Sequence, residues 1–373
     1  MADRSSIHLG ILYIGKQGGI CHYTYELVRV LSKIVKVTCY LSANNELLAK
    51  WQELPCQIKT FETYSGFSTL LWSMVTQQPL NVAKEIDRDR PDILLDTGSG
   101  PWAGMIKKAI SSQVLTIDVI HDVETHPDRW LPLITAYQFF YPNKADALVG
   151  ISDYSYQQLL LKFPKIPILK SAHGIIQPAA SIDLDRIATN RNKFLFFGRI
   201  EKYKGVEILV KSFAIAKQVY PDLSLSIVGK GTIDEQLKTQ MSELGIQLIN
   251  RWVAEAELAE IVANHGIAVM PYLSATQSGV AAVCLGNGLP AIATNVGALP
   301  EQIIHERNGA IVPPGDADAL AQAMLAISQD YASAYKMAQE AGIIAETTYS
   351  WKNIGTKLLE DMIDLVRKER VAI

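Results

Sequence analysis

Two cations stand five positions apart in the segment FFGRIEKYKG, which runs from Phe196 to Gly205. Arg199 offers a planar guanidinium fork and Lys204 offers a point charge, so together they could neutralise a diphosphate. The apolar run KFLFF before them predicts a buried strand, and ligands of parallel sheets lie beyond the carboxyl ends of strands. The alternative is a solvated basic loop, because loops with two cations are common.

A second candidate anion site is the start of a predicted helix near Ser278 and Gly279, in the segment PYLSATQSGV. The first amide groups of a helix point at an anion, although a plain serine N-cap explains the same residues. In the first half of the chain, Gly18 and Gly19 precede another predicted helix. That segment lacks both G-x-G-x-x-G and an acidic partner after the next strand, which disfavours an oxidoreductase.

A histidine follows a predicted buried strand in the segment VLTIDVIHD. His121 is therefore placed where site residues of doubly wound domains occur. Asp122 and His126 lie nearby, but no further ligands join them, so a metal site is disfavoured. The four cysteines show no zinc-binding spacing and are interpreted as free thiols of a cytoplasmic protein.

Apolar runs that alternate with segments of helical period predict two parallel sheets covered by helices. The predicted strands of the first half are IHLGILYI, VKVTCYL, CQIKTF, DILLDT, VLTIDVI, DALVGIS and IPILKS. Those of the second half are KFLFFG, LSLSIVGKG, IQLIN, IAVMPY, PAIATN and GAIVP. The polar stretch 175–192 between them predicts a connection. The fold class is thus α/β, with two doubly wound Rossmann-like domains.

The length of 373 residues agrees with two domains. A formal net charge of -3 gives no general attraction to nucleic acid, so a nucleic-acid partner is not expected. The N-terminal apolar run, broken by Gly10 and Gly15, is typical of a strand rather than a signal peptide. No stretch approaches the ~18 apolar residues that cross a bilayer.

In this order, the motifs resemble those of the retaining glycosyltransferases of family 4, whose GT-B fold has two Rossmann-like domains that face a cleft. FFGRIEKYKG is similar to that family's F-x-G-R and K-G segment, and ATQSGVAAVCLGNGLPAIATNVGALPE is similar to its signature helix and the turn after it. GGICHYTYELVRVL and the HD of VIHDVETHP resemble its glycine loop and active-site histidine.

The resemblance implies an acceptor-side domain over 1–180, a nucleotide-sugar-binding domain over 190–350, and a last helix, about 352–373, that crosses back to the first domain. The backbone near Val253 would read the base, and His121 would contact the transferring sugar. The implied catalytic residues are His121, Arg199 and Lys204. The implied donor-binding residues are Arg199 and Lys204 again, together with Gly18, Gly19, Val253, Gln277, Ser278 and Gly279.

The implied activity is transfer of a hexosyl unit from a UDP-, GDP- or ADP-sugar to an acceptor hydroxyl, in glycan, polysaccharide or glycolipid synthesis, without metal or other cofactor. A lipid-linked acceptor would place the protein at the inner face of the cytoplasmic membrane, where Lys107 and Lys108 could contact anionic lipid; the alternative for this pair is a solvated helix face. Ala275 and Val283 depart from the family's two glutamates, which favours a non-catalytic nucleotide-sugar-binding subunit as one alternative. A sugar-nucleotide epimerase is the other alternative, although it would need acid and base carboxylates that this segment lacks.

Overall fold

The computed structural model describes residues 7–98, 101–123, 145–176 and 181–371 and divides the chain into two compact units. The first unit is formed by Met1–His173 together with Trp351–Ile373, and the second by Gly174–Ser350. The expected domain limits at 180 and 190 therefore correspond to a single change of unit between residues 173 and 174.

The first unit contains one sheet of seven parallel strands. The strands are β1 (His8–Tyr13), β2 (Lys36–Ser42), β3 (Gln57–Phe61), β4 (Ile93–Asp96), β5 (Leu115–Ile120), β6 (Ala147–Gly150) and β7 (Ile168–Lys170). The helices of its described residues are α1 (Gly19–Leu31), α2 (Leu48–Trp51), α3 (Phe67–Val75), α4 (Gln78–Asp89), α5 (Pro101–Ala109), α6 (Asp153–Lys162) and the C-terminal α15 (Trp351–Val371). The strand order is β3-β2-β1-β4-β5-β6-β7.

The second unit contains one sheet of six parallel strands. The strands are β8 (Lys193–Phe197), β9 (Ser224–Val228), β10 (Gln247–Ile249), β11 (Ile267–Met270), β12 (Ala291–Thr294) and β13 (Gly309–Val312), in the order β10-β9-β8-β11-β12-β13. The helices are α7 (Leu184–Thr189), α8 (Val206–Val219), α9 (Glu235–Glu243), α10 (Glu255–Ala263), α11 (Gly279–Gly286), α12 (Leu299–Gln302), α13 (Ala317–Gln329) and α14 (Tyr331–Thr347), with a short 3-10 helix at Lys202–Lys204.

The prediction of two doubly wound domains is confirmed, and every predicted apolar run is a strand. The runs are continuous rather than alternating because helices cover both faces of a parallel sheet, so that all residues of β1 and β4 are buried. The strand order reverses between β1 and β4 in the first sheet and between β8 and β11 in the second. These two reversals are the points at which such folds bind ligands.

Acidic N-caps begin several helices of the second unit. The carboxylate of Asp183 accepts a hydrogen bond from the Arg186 amide at 2.9 Å, and Asp234 and Asp316 cap α9 and α13 in the same way. The predicted connection 175–192 therefore contains α7, because its aspartate starts a helix that the apolar pattern alone does not reveal.

The last helix, α15, belongs to the first unit and packs on α1. The ring of Trp351 at its start lies 5.1 Å from the ring of Tyr23, edge to face. Gly355 of α15 faces α1, where a β-carbon would make ordinary contacts with Val30 at 3.4 Å and Leu27 at 3.6 Å. In the described part of the chain, no helix is long and apolar enough to cross a bilayer.

Lys107 of α5 lies inside the first unit. Its side chain is 2% exposed, and its ammonium contacts the carboxylate of Asp118 and lies 3.5 Å from that of Asp96. These two aspartates are register partners on β5 and β4. Burial raises the pKa of Asp118 to about 7, although the ammonium of Lys107 acts in the opposite direction. The expectation that Lys107 contacts lipid is wrong, because two buried carboxylates hold its charge, whereas Lys108 is exposed.

We expect Lys107→Met to destabilise the protein by about 3 to 5 kcal/mol at pH 8, because it leaves carboxylate charge buried without a partner. Lys108→Met is the matched control and should change the free energy of unfolding by about 0.5 kcal/mol or less. The measurement is urea unfolding followed by circular dichroism.

The loss of unfolding free energy caused by Lys107→Met should be smaller at pH 5 than at pH 8. The folded-state pKa of Asp118 is above its unfolded value, so at pH 5 the folded protein holds the proton and has less charge for Lys107 to neutralise. Equal stability of the two lysine variants at pH 8 would contradict the buried ion pair.

Candidate functional site

The loops after β8 and β11 lie side by side, because the order of the second sheet reverses between these strands. Gly198 and Arg199 follow β8, and Pro271 and Tyr272 follow β11. Residues from two distant segments of the chain are thus brought to the carboxyl edge of one sheet.

Arg199 is exposed at this edge. Its side chain is 57% exposed, and one terminal nitrogen lies 2.9 Å from Oε1 of Glu201. An ion pair this exposed contributes about 1 kcal/mol or less, so little free energy opposes its exchange for a polyanion. Arg199 is therefore placed to bind a multiply charged ligand.

Lys204 is held more firmly, by an aromatic ring. Its ammonium lies 3.6 Å from the centre of the ring of Tyr272, which is fully buried. The next residue, Gly205, has a φ of 67°, and a β-carbon there would collide with the carbonyl oxygen of Pro271. The glycine of the K-G motif thus allows the turn that carries Lys204 to pack on the end of β11.

The G-x-G turn after β9 has a packing role. Gly229 has a φ of 146°, and a β-carbon there would collide with the carbonyl oxygen of Gly198. Gly231 pairs with Ile200 as an isolated bridge. These contacts favour a tight strand-to-helix turn over a ligand loop at this position.

The start of α11 combines an internal cap with open backbone. The hydroxyl of Ser278 accepts from the Ala281 amide at 3.4 Å, so its side chain serves as the N-cap. A β-carbon at Gly279 would meet only Ile176, at 3.7 Å, an ordinary contact distance. An anion at this helix start would therefore bind backbone amides rather than the serine hydroxyl.

Two further predicted donor-binding residues lie near this edge. Gln277 precedes the cap, and its Oε1 is buried with no hydrogen-bond partner in the described part of the chain. Val253 lies between β10 and α10 and is packed partly against the core of the second unit.

In the first unit, the glycine loop after β1 already contacts a carboxylate. Gly18 has a φ of 94° and precedes α1, and its amide donates to Oε1 of Glu46 at 2.7 Å. His22 lies 3.8 Å from the same oxygen. A β-carbon at Gly19 would meet nothing within 4 Å. Glu46 thus lies at the positive end of the α1 dipole, in contact with one of the two glycines that the resemblance assigns to donor binding.

His121 follows β5 and is buried. Its Nε2 lies 3.0 Å from the carbonyl oxygen of Thr97, which can only accept, so Nε2 carries the proton and Nδ1 is the acceptor. Burial, followed by the charge of His173, lowers the pKa of His121 to about 4. The imidazole is therefore neutral near pH 7 and suited to accept a hydrogen bond from a hydroxyl. His126, which was considered with it, lies outside the described residues.

The comparisons with known proteins concern both sequence and fold. Residues 191–330 match the family model described as glycosyl transferases group 1. The match covers less than half of the chain, and it makes this part of the second unit similar to a group 1 glycosyltransferase domain. The domain includes β8, β11 and the start of α11, so both cations and the helix start belong to it.

Curated relatives extend this similarity along the chain. The glycogen synthase of Mycobacterium tuberculosis is 26% identical over 304 residues, which are 80% of this chain and 68% of the relative. The D-inositol 3-phosphate glycosyltransferase of Pseudarthrobacter chlorophenolicus is 29% identical over 181 residues, 44% of this chain and 41% of the relative. The first relative is named a glycogen synthase and the second a glycosyltransferase.

Solved structures share the fold of the whole chain. The structure of Anabaena HepE in complex with UDP-glucose has a TM-score of 0.74 at 16% identity, covering 96% of this chain and all of that one. Sucrose-phosphate synthase from Thermosynechococcus elongatus has a TM-score of 0.72 at 17% identity, covering 98% of this chain and all of that one. With its two parallel sheets, the chain has the GT-B fold.

Sequence reasoning missed two contacts of the site. Tyr272 is the last residue of the predicted run IAVMPY, so its place just after a strand end was a signal that it could lie beside the residues of the site. Glu46 gave no comparable signal, because its contact with Gly18 spans 28 positions and depends on the loop after β2.

We expect Gly279→Val to abolish binding of inorganic pyrophosphate by the glycosyltransferase domain in calorimetry. The new side chain would stand before the α11 amides, and its β-carbon would make only an ordinary contact with Ile176, at 3.7 Å. Val283→Ala is the control: it should keep binding within a few fold and cost about 1 to 3 kcal/mol of stability, since Val283 is buried. Normal binding by Gly279→Val would remove the helix start from the site.

Proposed function

We propose that the protein transfers a hexosyl unit from a nucleotide sugar to an acceptor hydroxyl, with retention at the anomeric carbon. The observation that carries the proposal is the set of anion-binding groups at the carboxyl edge of the second sheet, inside the region that matches the glycosyl transferases group 1 model. That set consists of Arg199, Lys204 and the start of α11. The UDP-glucose bound by the HepE neighbour agrees with a nucleotide-sugar donor.

The cations act on the leaving group. Breaking the anomeric bond leaves a diphosphate with additional negative charge, so groups fixed around it stabilise the transition state more than the ground state. Lys204, held over Tyr272, keeps its position without reorganisation, and the α11 amides add fixed dipoles. Arg199 exchanges Glu201 for the diphosphate when the donor binds.

Hydroxyl contacts come from neutral groups. In the first unit, we propose that Nδ1 of His121 accepts a hydrogen bond from the transferring sugar, because Thr97 fixes the proton on Nε2. In the second unit, we propose that the partnerless Oε1 of Gln277 accepts from a donor hydroxyl. These neutral groups would take the part in hydroxyl binding that the family's two glutamates would otherwise have at positions 275 and 283.

We propose that the acceptor is a glycan, or a glycan on a lipid, and that transfer takes place in the cytoplasm. We also propose that the protein acts at the inner face of the membrane. Of the two lysines that suggested this location, Lys107 is buried against Asp118, so only the exposed Lys108 could contact lipid.

The first experiment measures release of UDP, GDP or ADP from the corresponding glucose donors, with and without maltotriose, glucose and myo-inositol as acceptors. Acceptor-dependent release, with the product anomer read by NMR, is expected. Binding without release would favour the non-catalytic alternative, and an isomerised donor would favour an epimerase.

Arg199→Ala and Lys204→Ala should each lower turnover by roughly two to three decades, the scale of losing one preorganised charge stabiliser. Lys202→Ala is the matched control, since Lys202 lies in the same 3-10 helix and is exposed, and it should keep turnover within about twofold. Wild-type turnover in either of the first two variants would contradict the diphosphate assignment.

We propose that no metal takes part, because two cations and the helix start supply the positive charge. Excess EDTA should therefore leave transfer nearly unchanged. Loss of activity in EDTA that returns with added Mg²⁺ or Mn²⁺ would sink this part of the proposal.

A further inference from the structure

Two neighbouring residues of α1, Tyr23 and Thr24, support the imidazole of His121. Both side chains are fully buried. Tyr23 contacts the imidazole itself. Thr24 contacts Thr97, the residue whose carbonyl oxygen accepts the Nε2 proton of His121. The helix that begins at the glycine loop thus holds both a side chain that follows β5 and the hydrogen-bond partner of that side chain.

Thr97 comes directly after β4, and several hydrogen bonds fix its orientation. Its amide donates to the carbonyl oxygen of Leu12 at 3.1 Å, which continues the pairing of β4 with β1. Its hydroxyl lies 2.8 Å from that of Thr24, whereas its contact with the carbonyl oxygen of Leu12 is longer, at 3.5 Å. Thr24 is anchored in turn by the carbonyl oxygen of Ile20, at 2.8 Å. Because a buried hydroxyl that leaves its partner loses a hydrogen bond, these contacts resist rotation of Thr97 and of its carbonyl group.

The direction of this carbonyl group decides which nitrogen of His121 carries the proton. The tautomer of a neutral imidazole is set by the hydrogen bonds of its ring. A carbonyl oxygen at Nε2 keeps the proton there and leaves Nδ1 as an acceptor. A carbonyl group that turns away would admit the other tautomer, in which Nδ1 carries the proton and can no longer accept.

The ring of Tyr23 restricts rotation of the imidazole. The two ring centroids are 4.9 Å apart and the planes are at 88°, an edge-to-face contact. Tyr23 is itself packed against the ring of Trp351 at 5.1 Å and that of His173 at 5.6 Å. The ring of His121 is therefore held by α1, which the start of α15 supports from behind.

We propose that Thr24 is a positioning residue for sugar transfer, which acts through Thr97 to keep the proton of His121 on Nε2 and Nδ1 available as an acceptor. The inference rests on the proposed transferase function, in which Nδ1 accepts from the transferring sugar. It adds the residue that maintains this acceptor. Thr24 acts only through Thr97 and has no contact of its own with the sugar.

The first test is Thr24→Val, which removes the hydroxyl and keeps the shape of the side chain. The kcat of transfer should fall roughly tenfold to a hundredfold, the scale of losing a partner that orients a catalytic group. The donor KM should change by less than about twofold, because Thr24 does not bind the donor. Thr24→Ser restores the hydroxyl and should recover kcat to within about threefold of the wild type. Wild-type kcat in a folded Thr24→Val protein, or no recovery in Thr24→Ser, overturns the inference.

The matched control is another buried threonine that contacts a histidine. The hydroxyl of Thr38 in β2 lies 2.9 Å from Nε2 of His8, the first residue of β1, so this contact lies toward the amino edge of the same sheet. Thr38→Val removes a contact of the same kind and should leave kcat and donor KM within about twofold. A fall in kcat equal to that of Thr24→Val would show a general effect of buried threonines and would overturn the inference.

Thr97→Val tests whether the two hydroxyls act as a pair. It removes the second hydroxyl and keeps the carbonyl oxygen, so kcat should fall about as far as in Thr24→Val. The double variant should be within about threefold of either single variant, because each change already breaks the same contact. Losses that multiply in the double variant indicate independent roles and overturn the inference.

Nuclear magnetic resonance of the ring nitrogens reads the tautomer without any substrate. The protein is labelled with nitrogen-15 in histidine and measured at neutral pH, and the resonances of His121 are assigned by their loss in His121→Asn. The wild type and Thr24→Ser should show a protonated Nε2 and an unprotonated Nδ1. In Thr24→Val the two resonances should move toward each other as the second tautomer is populated. Identical resonances in the wild type and Thr24→Val overturn the inference.

The outcomes distinguish this inference from the function on which it rests. A protein that releases nucleotide from no donor overturns the transferase proposal and the catalytic part of the inference, while the ring-nitrogen resonances still decide whether Thr24 holds the tautomer. A protein that transfers sugar with the same kcat in Thr24→Val as in the wild type overturns the inference alone.

Discussion

Parallel pairing in both sheets is the constraint on which the site depends, because it sends every loop from a strand's carboxyl end to the same edge of its sheet. In the second unit, that edge collects Arg199 and Lys204 after β8 and the start of α11 beyond β11. In the first unit, it collects Gly18 after β1, Asp96 at the end of β4 and His121 after β5. The chemistry of each unit then depends on which charges its loops supply: cations and amides in the second, a buried carboxylate and a neutral imidazole in the first.

Two lysines illustrate how burial decides the use of a charge. Lys107 is enclosed with Asp96 and Asp118, so its ammonium balances carboxylates that the first unit has already buried. Lys204 lies over the ring of Tyr272, which attracts the ammonium without neutralising it. The aromatic contact restricts the side chain, and a fixed cation is what a preorganised phosphate site needs.

The elements could be predicted because apolar runs and helical periods are local properties of the sequence, and the strands lie where those runs lie. Contacts between neighbouring strands could not be predicted from the sequence. Lys107 and Lys108 look alike in the sequence as a basic helix end, and only the register that sets Asp96 beside Asp118 explains why one of them is buried. The carboxylate of Glu46 reaches Gly18 through a loop of irregular structure. The residues of the candidate site were placed at strand ends by the pattern, but their present partners come from tertiary packing.

Ala275 and Val283 stand where the resembling family has glutamates, and this difference affects binding of phosphate groups and binding of hydroxyl groups differently. Val283 is buried, and the carbonyl oxygen of Ala275 lies where a β-carbon of Gly297 would be, so both positions serve the packing of the second unit. Phosphate binding does not require carboxylates, since cations and helix amides supply it. A ligand hydroxyl that donates needs an acceptor, and the amide oxygen of Gln277, which has no partner among the described residues, is a neutral one at the same helix start. In the proposed function, an amide in place of the two acids also avoids adding negative charge beside a diphosphate, so the same departures that remove carboxylates from hydroxyl recognition would favour binding of the anion.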